Sequence, residues 1–476
     1  MRLSATSKPI DGKPARWPGY RPEAHGYGIV HIGLGNFARA HLLSYTDDAL
    51  AAAGGDWRVI GASLRGSALG DVLSPQDYRY TLLEKGAETK ASVIGSLHSI
   101  ISGQERIPDL LAAMSAPQCR IVSMTVTEKG YALAGHGGLD TAHPDIIHDL
   151  SETGSPRGVI GVISAALAMR QANGLPPFTT ISCDNLPDNG RKLREGVLEF
   201  ARIAHKQSLA EWIAAEAAFP STVVDRITPT PVETTSALAL AETGYDDFSA
   251  VETEPFRQWI IESSFSAGRP AWDAAGAILV PNIRDYERMK LWMLNGTHSL
   301  IAYCGCLRGK PFVRDVMADS DLKALVSRHL QAASAVIGQL GIDLSDYAEK
   351  LKERFSNPAI AHATAQIAMD GTQKLPQRLT APALIALERG TDFQPFALAI
   401  AAWIVYAEHW AKGRANYEIC DPQSEIIHDL LSNSTEDAKL LSAVHRNFPL
   451  ILPAGLMGGD FEAVLRENLV KLRNWP

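Results

Sequence analysis

The stretch YGIVHIGLGNFARAHLLSYTDDAL, residues 27–50, decides the fold of the first half of the chain. GIVHI is a short apolar, β-branched run that is typical of a buried strand. Two glycines follow it, and an amphipathic pattern that predicts a helix begins at Phe37. The segment therefore predicts a strand, a tight turn and a helix in direct succession.

The turn reads GLGNFA, from Gly33 to Ala38, and matches the pattern G-x-G-x-x-A. Gly33 permits a tight turn, Gly35 lets the backbone approach a pyrophosphate, and Ala38 lets the helix pack closely on the sheet. Asn36 and Phe37 lie between them and belong to the same candidate dinucleotide site. An ordinary βα turn is the alternative, and the strand-turn-helix context favours the dinucleotide interpretation.

Three further apolar runs end in small or polar residues: WRVIGAS (57–63), CRIVSMTVT (119–127) and FTTISCDN (178–185). Helical patterns over 158–172 and 190–203 alternate with them. Buried strands that alternate with helices predict an α/β fold with a parallel sheet. Because ligands bind at the carboxyl ends of such strands, Thr127, Glu128 and Asn185 are candidate site residues. Thr127 and Glu128 are expected beside the nicotinamide ribose.

The residues at the end of the second predicted strand bear on the choice between NAD and NADP. An acid that binds the ribose hydroxyls of NAD is expected there, but the chain has GASLRGS, with Ser63 and Arg65 in its place. An arginine at this point can accept the 2′-phosphate of NADP. Arg65 is therefore a candidate cofactor-binding residue, and this stretch leaves both NAD and NADP open.

Beyond about residue 283 the pattern becomes helical. The helical segments cover 285–309, 319–341, 357–371, 381–390 and 394–413. Several begin at Asp, Asn or Pro and stop at Gly, as helix capping requires. We therefore expect a dinucleotide-binding domain with an N-terminal extension over residues 1–281, and a mostly α-helical substrate and catalytic domain over residues 282–476.

Composition excludes several classes of protein. The chain has 476 residues, of which 46% are hydrophobic and 21% charged, which is globular composition. A net charge of -8 argues against a nucleic-acid or anionic-membrane surface. Five scattered cysteines fit a reduced, cytoplasmic setting, and the polar N-terminus predicts no secretory signal. The longest apolar run, 396–407, suits a buried core helix and is too short to span a membrane.

The segment DYERMKLWMLNGTHS, residues 285–299, places polar groups in an apolar helical pattern. On a helix that turns 100° per residue, Glu287, Asn295 and His298 lie at about 60°, 140° and 80° from Lys290. The four thus share an arc of roughly 140°. Each alone has an ordinary structural explanation. Gly296 costs about 1 kcal/mol in mid-helix, which indicates that another group must approach closely there.

Several segments together resemble one family: VHIGLGNFARAH, TVTEKGY, SCDNLPDNG, FPSTVVDRITP, EPFRQWIIE and KLWMLNGTHS. They are similar to the long-chain mannitol dehydrogenase family of polyol and sugar-acid dehydrogenases, which need no zinc. The resemblance extends from about residue 27 to about residue 450, and its K-x4-N-x2-H spacing is specific. It implies an N-terminal Rossmann domain, a helical C-terminal domain and an active site between them.

The resemblance also implies roles for the polar residues. Lys290 is implied as the general base, and Asn185 and Asn295 as an oxyanion-binding pair. His298 is implied as a substrate-positioning group and Glu287 as a proton relay to solvent. Oxidising an alcohol requires such a base and such donors, because the hydroxyl proton must leave while negative charge develops on the oxygen. A lysine, with an ordinary pKa of about 10.4, needs burial or a nearby cation for this role.

Other candidates are less specific. Val224 and Asp225 resemble family positions near the nicotinamide. Lys374 and Arg378 lie in a predicted helix-to-helix loop, 371–379, which is either a solvated cationic loop or a contact to substrate hydroxyls or a carboxylate. No metal site is expected, since the cysteines lack a Cys-x2-Cys spacing. His31 is expected in the core. Arg39 assists a pyrophosphate or forms a structural ion pair.

The motifs and the resemblance together predict an oxidoreductase that acts on a small sugar alcohol or sugar acid, and the resemblance favours NAD as its cofactor, with NADP open. D-mannitol and D-fructose are the leading pair. D-mannonate with D-fructuronate, altronate with tagaturonate, and arabinitol with xylulose are compatible alternatives. A non-catalytic dinucleotide-binding sensor and a metal-dependent alcohol dehydrogenase are the rival classes. A monomer or weak oligomer is expected, with neither nucleic acid nor membrane as a partner.

Overall fold

The structure is a computed structural model that describes residues 1–66, 68–134, 138–205, 207–432 and 436–475, without the side chains of residues 128 and 129. The chain divides into two compact units, Met1–Ile283 and Arg284–Pro476. The first unit combines strands and helices, and the second is helical throughout its described part apart from one isolated bridge.

The described strands lie in the first unit. They are β1 Tyr27–Ile32, β2 Arg58–Ser63, β3 Tyr80–Lys85, β4 Thr89–Ile94, β5 Leu97–Ser102, β6 Ile121–Met124, β7 Thr179–Ser182, β8 Thr222–Asp225, β9 Val251–Thr253, β10 Gln258–Glu262 and β11 Ile278–Val280.

Five strands form a central parallel sheet in the order β5-β2-β1-β6-β7. The strand β1 lies at its centre, with β2 on one side and β6 on the other. The strand order therefore reverses beside β1, and such a switch point is where α/β sheets bind ligands. The predicted parallel α/β sheet is confirmed, and the glycine-rich turn leaves β1 at this point.

Both faces of the central sheet are buried, as the continuous apolar runs predict. Val30 and Ile32 of β1 pack in one core cluster, and Ile29 packs in the other. Alternate residues of a strand point to opposite faces, so a run buried on both sides needs no polar alternation. This pattern explains why β1 is apolar at consecutive positions.

Helices surround the strands of the first unit. They are α1 Asn36–Ala40, α2 Leu42–Ala53, α3 Ala68–Leu73, α4 Ile107–Ser115, α5 Pro144–Ser151, α6 Val159–Ala172, α7 Asn189–Ala204, α8 Gln207–Glu216 and α9 Glu233–Thr243, with 3-10 turns at Pro22–Ala24, Ser74–Gln76, Gln104–Arg106 and Glu128–Tyr131. The single helix predicted from Phe37 is wrong. The chain breaks it at His41, whose φ of -109° and ψ of -80° are not helical.

Two small sheets complete the first unit, in the orders β4-β3-β9 and β11-β10-β8. No pattern in the sequence predicts these two sheets. Several of their strands are only three to five residues long, and β9 and β11 have three each. Such short strands carry too little alternation to be distinguished from loops.

The second unit consists of helices. They are α10 Arg284–Met289, α11 Gly296–Leu307, α12 Val313–Ala318, α13 Ser320–Ile337, α14 Leu344–Phe355, α15 Thr364–Ala368, α16 Gly371–Leu375, α17 Ala381–Arg389, α18 Gln394–Ala411, α19 Ser424–Ser432, α20 Asp437–Asn447 and α21 Asp460–Arg473, with a 3-10 turn at Ala454–Leu456 and π-helical turns at Lys290–Asn295 and Pro376–Thr380. The predicted helical C-terminal domain is confirmed.

The helix α18 is the core of the second unit, as the apolar run predicts. Phe396 to Ala407 are all buried, and α11, α19 and α21 pack around them. Within the described ranges, no helix combines the length and the apolar character that a membrane crossing needs.

Two predictions for this unit are wrong. The predicted loop 371–379 is helical: α16 runs into the π turn Pro376–Thr380, which runs into α17. Pro376 lacks an N–H, and the wider π turn accommodates it. The helix predicted over 357–371 is confined to α15, because Asn357–Ala363 takes a non-helical path.

Stability in acid provides a test of the packing at His41. Its Nε2 lies 2.9 Å from the carbonyl oxygen of Gln258, and its ring stacks on Phe37 at 4.9 Å between centroids. Burial lowers the pKa of His41 to about 3. The unfolded chain takes up this proton near pH 6.5, whereas the folded chain does not. The free energy of unfolding therefore falls as the pH drops from about 6.5 towards 3.

Replacing His41 by Gln, which keeps an N–H donor for Gln258, should reduce this pH slope by about 1.4 kcal/mol per pH unit. Urea unfolding between about pH 4.5 and 6, followed by the fluorescence of Trp259, which lies 5.4 Å from His41, measures the slope. The variant His428→Gln removes an exposed histidine and serves as the control. An unchanged slope in His41→Gln would show that His41 protonates freely in the folded state.

Candidate functional site

The two glycines after β1 have different surroundings. Gly33 has a φ of +90°, and a Cβ there would lie 2.1 Å from the carbonyl oxygen of Thr125. Only glycine fits that position. At Gly35 the φ is -103°, and a Cβ would meet no protein atom closer than 3.9 Å. The fold itself thus tolerates a side chain at Gly35, and the space beside it is open for a ligand.

A buried hydrogen-bond chain holds this turn in place. His31, fully buried in β1, contacts Ser123 Oγ at 2.9 Å through Nδ1 and Thr125 Oγ1 at 3.0 Å through Nε2. Thr125 Oγ1 in turn donates to the carbonyl oxygen of Gly33 at 2.7 Å. Burial lowers the pKa of His31 to about 3, so the ring is neutral. The expectation that His31 is a core residue is confirmed.

The residues after the glycines lie at the start of α1. Ala38 is fully buried against the sheet, and Phe37 stacks on His41. Asn36 accepts a hydrogen bond of 2.6 Å from the guanidinium of Arg39. That buried guanidinium also donates to the carbonyl oxygen of Ser249 at 2.5 Å. Arg39 therefore bonds to neutral groups, and no salt bridge of Arg39 is found among the described residues; its contact with a pyrophosphate stays a prediction.

The ends of β6 and β7 are joined by a carboxylate that no sequence motif predicts. Asp184 accepts the backbone N–H of Val126 at 3.1 Å and of Thr127 at 2.9 Å. Tyr131 donates its hydroxyl to the same carboxylate at 2.7 Å. Thr127 has a φ of +66°, which is rare for a β-branched residue and marks a constrained loop. Asp184 immediately precedes Asn185, so this network fixes the backbone beside both candidates.

The remaining cofactor candidates differ in exposure. The Arg65 side chain is 87% exposed just after β2, and its guanidinium lies 3.4 Å from the Asp145 carboxylate. Val224 and Asp225 end β8 and are buried. The side chain of Glu128 lies outside the described part of the chain, so its candidate role has no structural account.

A second side chain joins the ends of β7 and β8. Asn189, fully buried at the start of α7, donates to the carbonyl oxygens of Asp184 at 3.1 Å and Thr222 at 3.0 Å. Its own oxygen accepts the N–H of Thr222 at 2.9 Å. Val224 and Asp225 follow Thr222 in β8. Their position therefore depends on the same buried amide that supports Asn185.

In the second unit, the helix that carries the predicted base is interrupted by a π turn. The N–H of Gly296 bonds to the carbonyl of Leu291, five residues back instead of four. The 100° spacing used for the sequence is therefore wrong over Lys290–Asn295. At about 4.4 residues per turn, each residue advances by about 80°, and Glu287, Lys290, Asn295 and His298 fall within roughly 80° of arc. The π turn therefore reduces the arc over which these four side chains are spread.

Gly296 marks the point of closest approach, as expected from its position. A Cβ there would lie 2.9 Å from the carbonyl oxygen of Arg378 and 3.1 Å from Cε1 of His329. Arg378 belongs to the second π turn, Pro376–Thr380, in which the N–H of Ala381 bonds to the carbonyl of Pro376. The two π turns therefore pack directly against each other through backbone atoms.

The polar side chains on this face are partly withdrawn from water. Asn295 and His298 are each 9% exposed, and Lys290 and Glu287 are half-buried. Burial lowers the pKa of His298 well below its ordinary value, and the cationic groups of Arg354 and Arg378 act in the same direction. His298 is therefore neutral near pH 7 and acts as a hydrogen-bonding group, not as a cation.

Lys374 and Arg378 are both half-buried on the adjacent helical run. Lys374 donates to the carbonyl oxygen of Met369 at 2.7 Å and lies 3.5 Å from the Asp370 carboxylate. Arg378 donates to Ser299 Oγ at 3.3 Å, on the helix that carries His298. Burial lowers the pKa of both cations. The solvated-loop interpretation of this segment is therefore wrong.

Metal ligands are a separate question. Among residues 1–66, 68–134, 138–205, 207–432 and 436–475, no group of three or more His, Cys, Asp or Glu side chains is arranged to hold a metal ion. The donor atoms of the candidate site are mainly amide, imidazole and ammonium groups, which suit an organic substrate.

Two family profiles cover most of the chain. The Mannitol dehydrogenase Rossmann domain matches residues 27–274, and the Mannitol dehydrogenase C-terminal domain matches residues 282–449. The chain belongs to the mannitol dehydrogenase family. The resemblance drawn from the motifs is thereby confirmed.

Members of the mannitol dehydrogenase family with different names are similar to this chain. D-mannonate oxidoreductase of Escherichia coli (strain K12) is 42% identical over 405 residues, which are 83% of this chain and 82% of the relative. Mannitol 2-dehydrogenase of Phaeosphaeria nodorum is 37% identical over 418 residues, 86% of this chain and 73% of the relative. The solved Pseudomonas fluorescens mannitol 2-dehydrogenase, a ternary complex with NAD and D-mannitol, is 34% identical with a TM-score of 0.81, covering 100% and 97% of the two chains.

The contrast between the two glycines generates a paired prediction. Gly33→Ala should lower the thermal midpoint by several degrees or prevent folding, because its φ and the Thr125 carbonyl exclude a Cβ. Gly35→Ala should leave the midpoint within about 2 °C and weaken dinucleotide binding at least about tenfold. Differential scanning fluorimetry and a fluorescence titration with NADH measure both quantities. Unchanged affinity in Gly35→Ala would contradict the assignment of this turn to the pyrophosphate.

Proposed function

We propose that this chain is an NAD-dependent oxidoreductase that interconverts a secondary alcohol of an open-chain polyol or sugar acid with the corresponding ketone. The observation that carries the proposal is the polar face of residues 287–298. Its π turn favours the convergence of a lysine, an amide, an imidazole and a carboxylate on one side of an otherwise apolar helix. Membership of the mannitol dehydrogenase family supports the same reaction class.

NAD is the proposed cofactor, and NADP is the alternative. A relative of the same family has been solved with NAD. The open space at Gly35 fits a pyrophosphate, with Gly33, Asn36, Phe37 and Ala38 around it. Arg65 is already 3.4 Å from Asp145, so a 2′-phosphate would compete with that carboxylate. The chemistry that NAD supplies when bound is acceptance of a hydride at its nicotinamide ring.

The nicotinamide end of the cofactor, which accepts the hydride, also needs contacts with the protein. Thr127, Glu128, Val224 and Asp225 are proposed to contact the nicotinamide and its ribose. Thr127 has a backbone fixed by Asp184, and Val224 and Asp225 follow Thr222, which Asn189 holds. Residues fixed in this way can hold the nicotinamide ring in one orientation without rearrangement. Such fixed orientation of the reacting groups lowers the barrier to reaction.

The proton and the developing charge are proposed to be handled by the polar face. Lys290 removes the hydroxyl proton, and Glu287 passes it on to solvent. The amides of Asn295 and Asn185 donate to the substrate oxygen as it gains negative charge. His298, neutral because it is buried, positions the substrate by hydrogen bonding. Lys374 and Arg378 are proposed to bind the distal part of the substrate.

Replacing Lys290 by Ala tests the proposal. We expect turnover to fall by about 10²–10⁴-fold, the range of a general base, because no other group removes the proton. Dinucleotide affinity should stay within about threefold, and a small primary amine added to the assay should restore part of the rate. Absorbance of reduced nicotinamide, across a panel of polyols and sugar acids with each dinucleotide, is the readout. Lys439→Ala, at an exposed lysine, is the control.

The rival classes predict other outcomes. A non-catalytic sensor would show no turnover with any member of the panel in the wild-type protein. A metal-dependent dehydrogenase would lose its activity to a chelator and regain it with zinc. Full activity in Lys290→Ala would exclude this lysine as the base.

A further inference from the structure

A fully buried histidine packs against α11, the helix that carries His298. His329 belongs to α13, and its Nδ1 lies 3.0 Å from Oγ1 of Thr297, which is also fully buried. A Cβ at Gly296 would lie 3.1 Å from Cε1 of His329 and 3.5 Å from its Nε2. None of the groups proposed to react lies on α13. Since the side chain has no exposed surface, an effect of His329 on the reaction passes through its contacts with α11.

One nitrogen of the His329 ring has no partner. Within the described residues, Nε2 is buried without a hydrogen bond. Burial lowers the pKa of His329 to about 3, so the ring is neutral near pH 7. A buried polar atom without a partner costs stability, and an apolar side chain of similar size would avoid that cost. The cost indicates that the other nitrogen, which bonds to Thr297, does more than fill space.

The bond to Thr297 restrains a movement that the surrounding packing does not. Every residue from Gly296 to Gly305 is buried, so contact with water on one side does not fix the rotation of α11 about its axis. Apolar contacts are non-directional, whereas a hydrogen bond weakens steeply away from its preferred geometry. The bond from Arg378 to Ser299 is longer, at 3.3 Å. The bond between His329 and Thr297 is therefore the stronger restraint on this rotation.

A small rotation of α11 is enough to disturb the proposed site. Side-chain atoms lie about 5–6 Å from a helix axis, so a rotation of about 10° moves them by roughly 1 Å. A displacement of this size can lower a reaction rate by about 10²-fold. Thr297 lies between Asn295 and His298 in the chain. A bond at Thr297 therefore fixes the direction in which both neighbouring side chains point.

We propose that His329 is a positioning residue for the reaction, which holds the rotation of α11 through Thr297 and thereby keeps Asn295 and His298 oriented towards the substrate. This inference rests on the proposed function and adds a residue to the same site. His329 acts from α13 and binds neither substrate nor cofactor.

Variants of the two partners test this role. His329→Leu removes both ring nitrogens, and Thr297→Val removes the hydroxyl with little change of shape. In each we expect kcat, for the most active member of the panel of polyols and sugar acids, to fall about 10- to 100-fold. NADH affinity should stay within about threefold of the wild type. The thermal midpoint of His329→Leu should stay within about 2 °C, because the unpaired Nε2 is removed together with the bond.

A double-mutant cycle shows whether the two residues act as a unit. If one bond carries the effect, His329→Leu combined with Thr297→Val should lower kcat no further than either substitution alone. His329→Asn keeps a polar atom near the position of Nδ1, and Thr297→Ser keeps the hydroxyl. Both conservative variants should therefore retain kcat within about threefold of the wild type. A purely structural role would instead lower the thermal midpoint and leave kcat unchanged well below it.

The control is a bond from the same helix to a different neighbour. Arg389, at the end of α17, donates to the carbonyl oxygen of Val336 in α13 at 2.8 Å. Arg389→Leu removes this bond and should keep kcat within about twofold of the wild type. An equal fall of kcat in Arg389→Leu would show that loosening α13 anywhere impairs turnover, and it would overturn the specific role of His329.

The outcomes separate the two proposals. Wild-type kcat in His329→Leu, or effects of the two substitutions that multiply in the double variant, would overturn the positioning role and leave the oxidoreductase function intact. If His329→Leu does not fold, the comparison of Thr297→Val with Thr297→Ser decides the matter, and equal kcat in these two would overturn the role. Turnover of no member of the panel by the wild type would overturn the proposed function, and the role of His329 with it.

Discussion

The packing of Gly296 against the carbonyl of Arg378 is the contact on which the second unit's candidate site depends. A side chain at residue 296 would collide with this oxygen, which lies 2.9 Å from the position of a Cβ. The contact joins two π turns, each of which contains one more residue per turn than an α-helix. The first turn gathers the polar side chains on one face, and the second carries Arg378, which donates to Ser299 next to His298. The substrate chemistry proposed for this unit therefore depends on a backbone contact.

In the first unit, too, a glycine packs closely against a backbone carbonyl. Gly33 packs against the carbonyl of Thr125, so the chain turns sharply at the end of β1. His31 and Asp184 then fix the loops around that turn through buried hydrogen bonds. In both units the groups proposed to react lie on segments next to a glycine that packs against a backbone carbonyl. Such preorganisation is what positioning and electrostatic stabilisation require.

The sequence predicts the parts of this fold that depend on long, regular patterns. The strands β1, β2, β6 and β7, the glycine turn and the long helices α13 and α18 follow from apolar runs and capping residues. The three-residue strands are not predicted, because they are too short to show an alternating pattern. The π turns are not predicted either, because a period of 3.6 residues is assumed wherever a helix is expected. A helix with an inserted residue has no simple signature in one sequence.

The candidate-site residues also divide into those that a sequence pattern predicts and those that it does not. The spacing places Glu287, Lys290, Asn295 and His298 on one face, and Asn185 follows a predicted strand. The family resemblance adds the roles proposed for them. Asp184 was missed although it precedes Asn185, since its contacts to Val126 and Thr127 connect strands that are distant in sequence. Residues that act through tertiary contacts leave no periodic signal.

The turnover of Gly296→Ala tests the central contact most directly. Alanine favours an ordinary helix over glycine by about 1 kcal/mol, so helix propensity alone predicts a neutral or more stable variant. The packing described above predicts that the two π turns move apart and that turnover falls by about 10²-fold or more, with dinucleotide affinity unchanged. Turnover within about twofold of the wild type would show that this contact does not position the site.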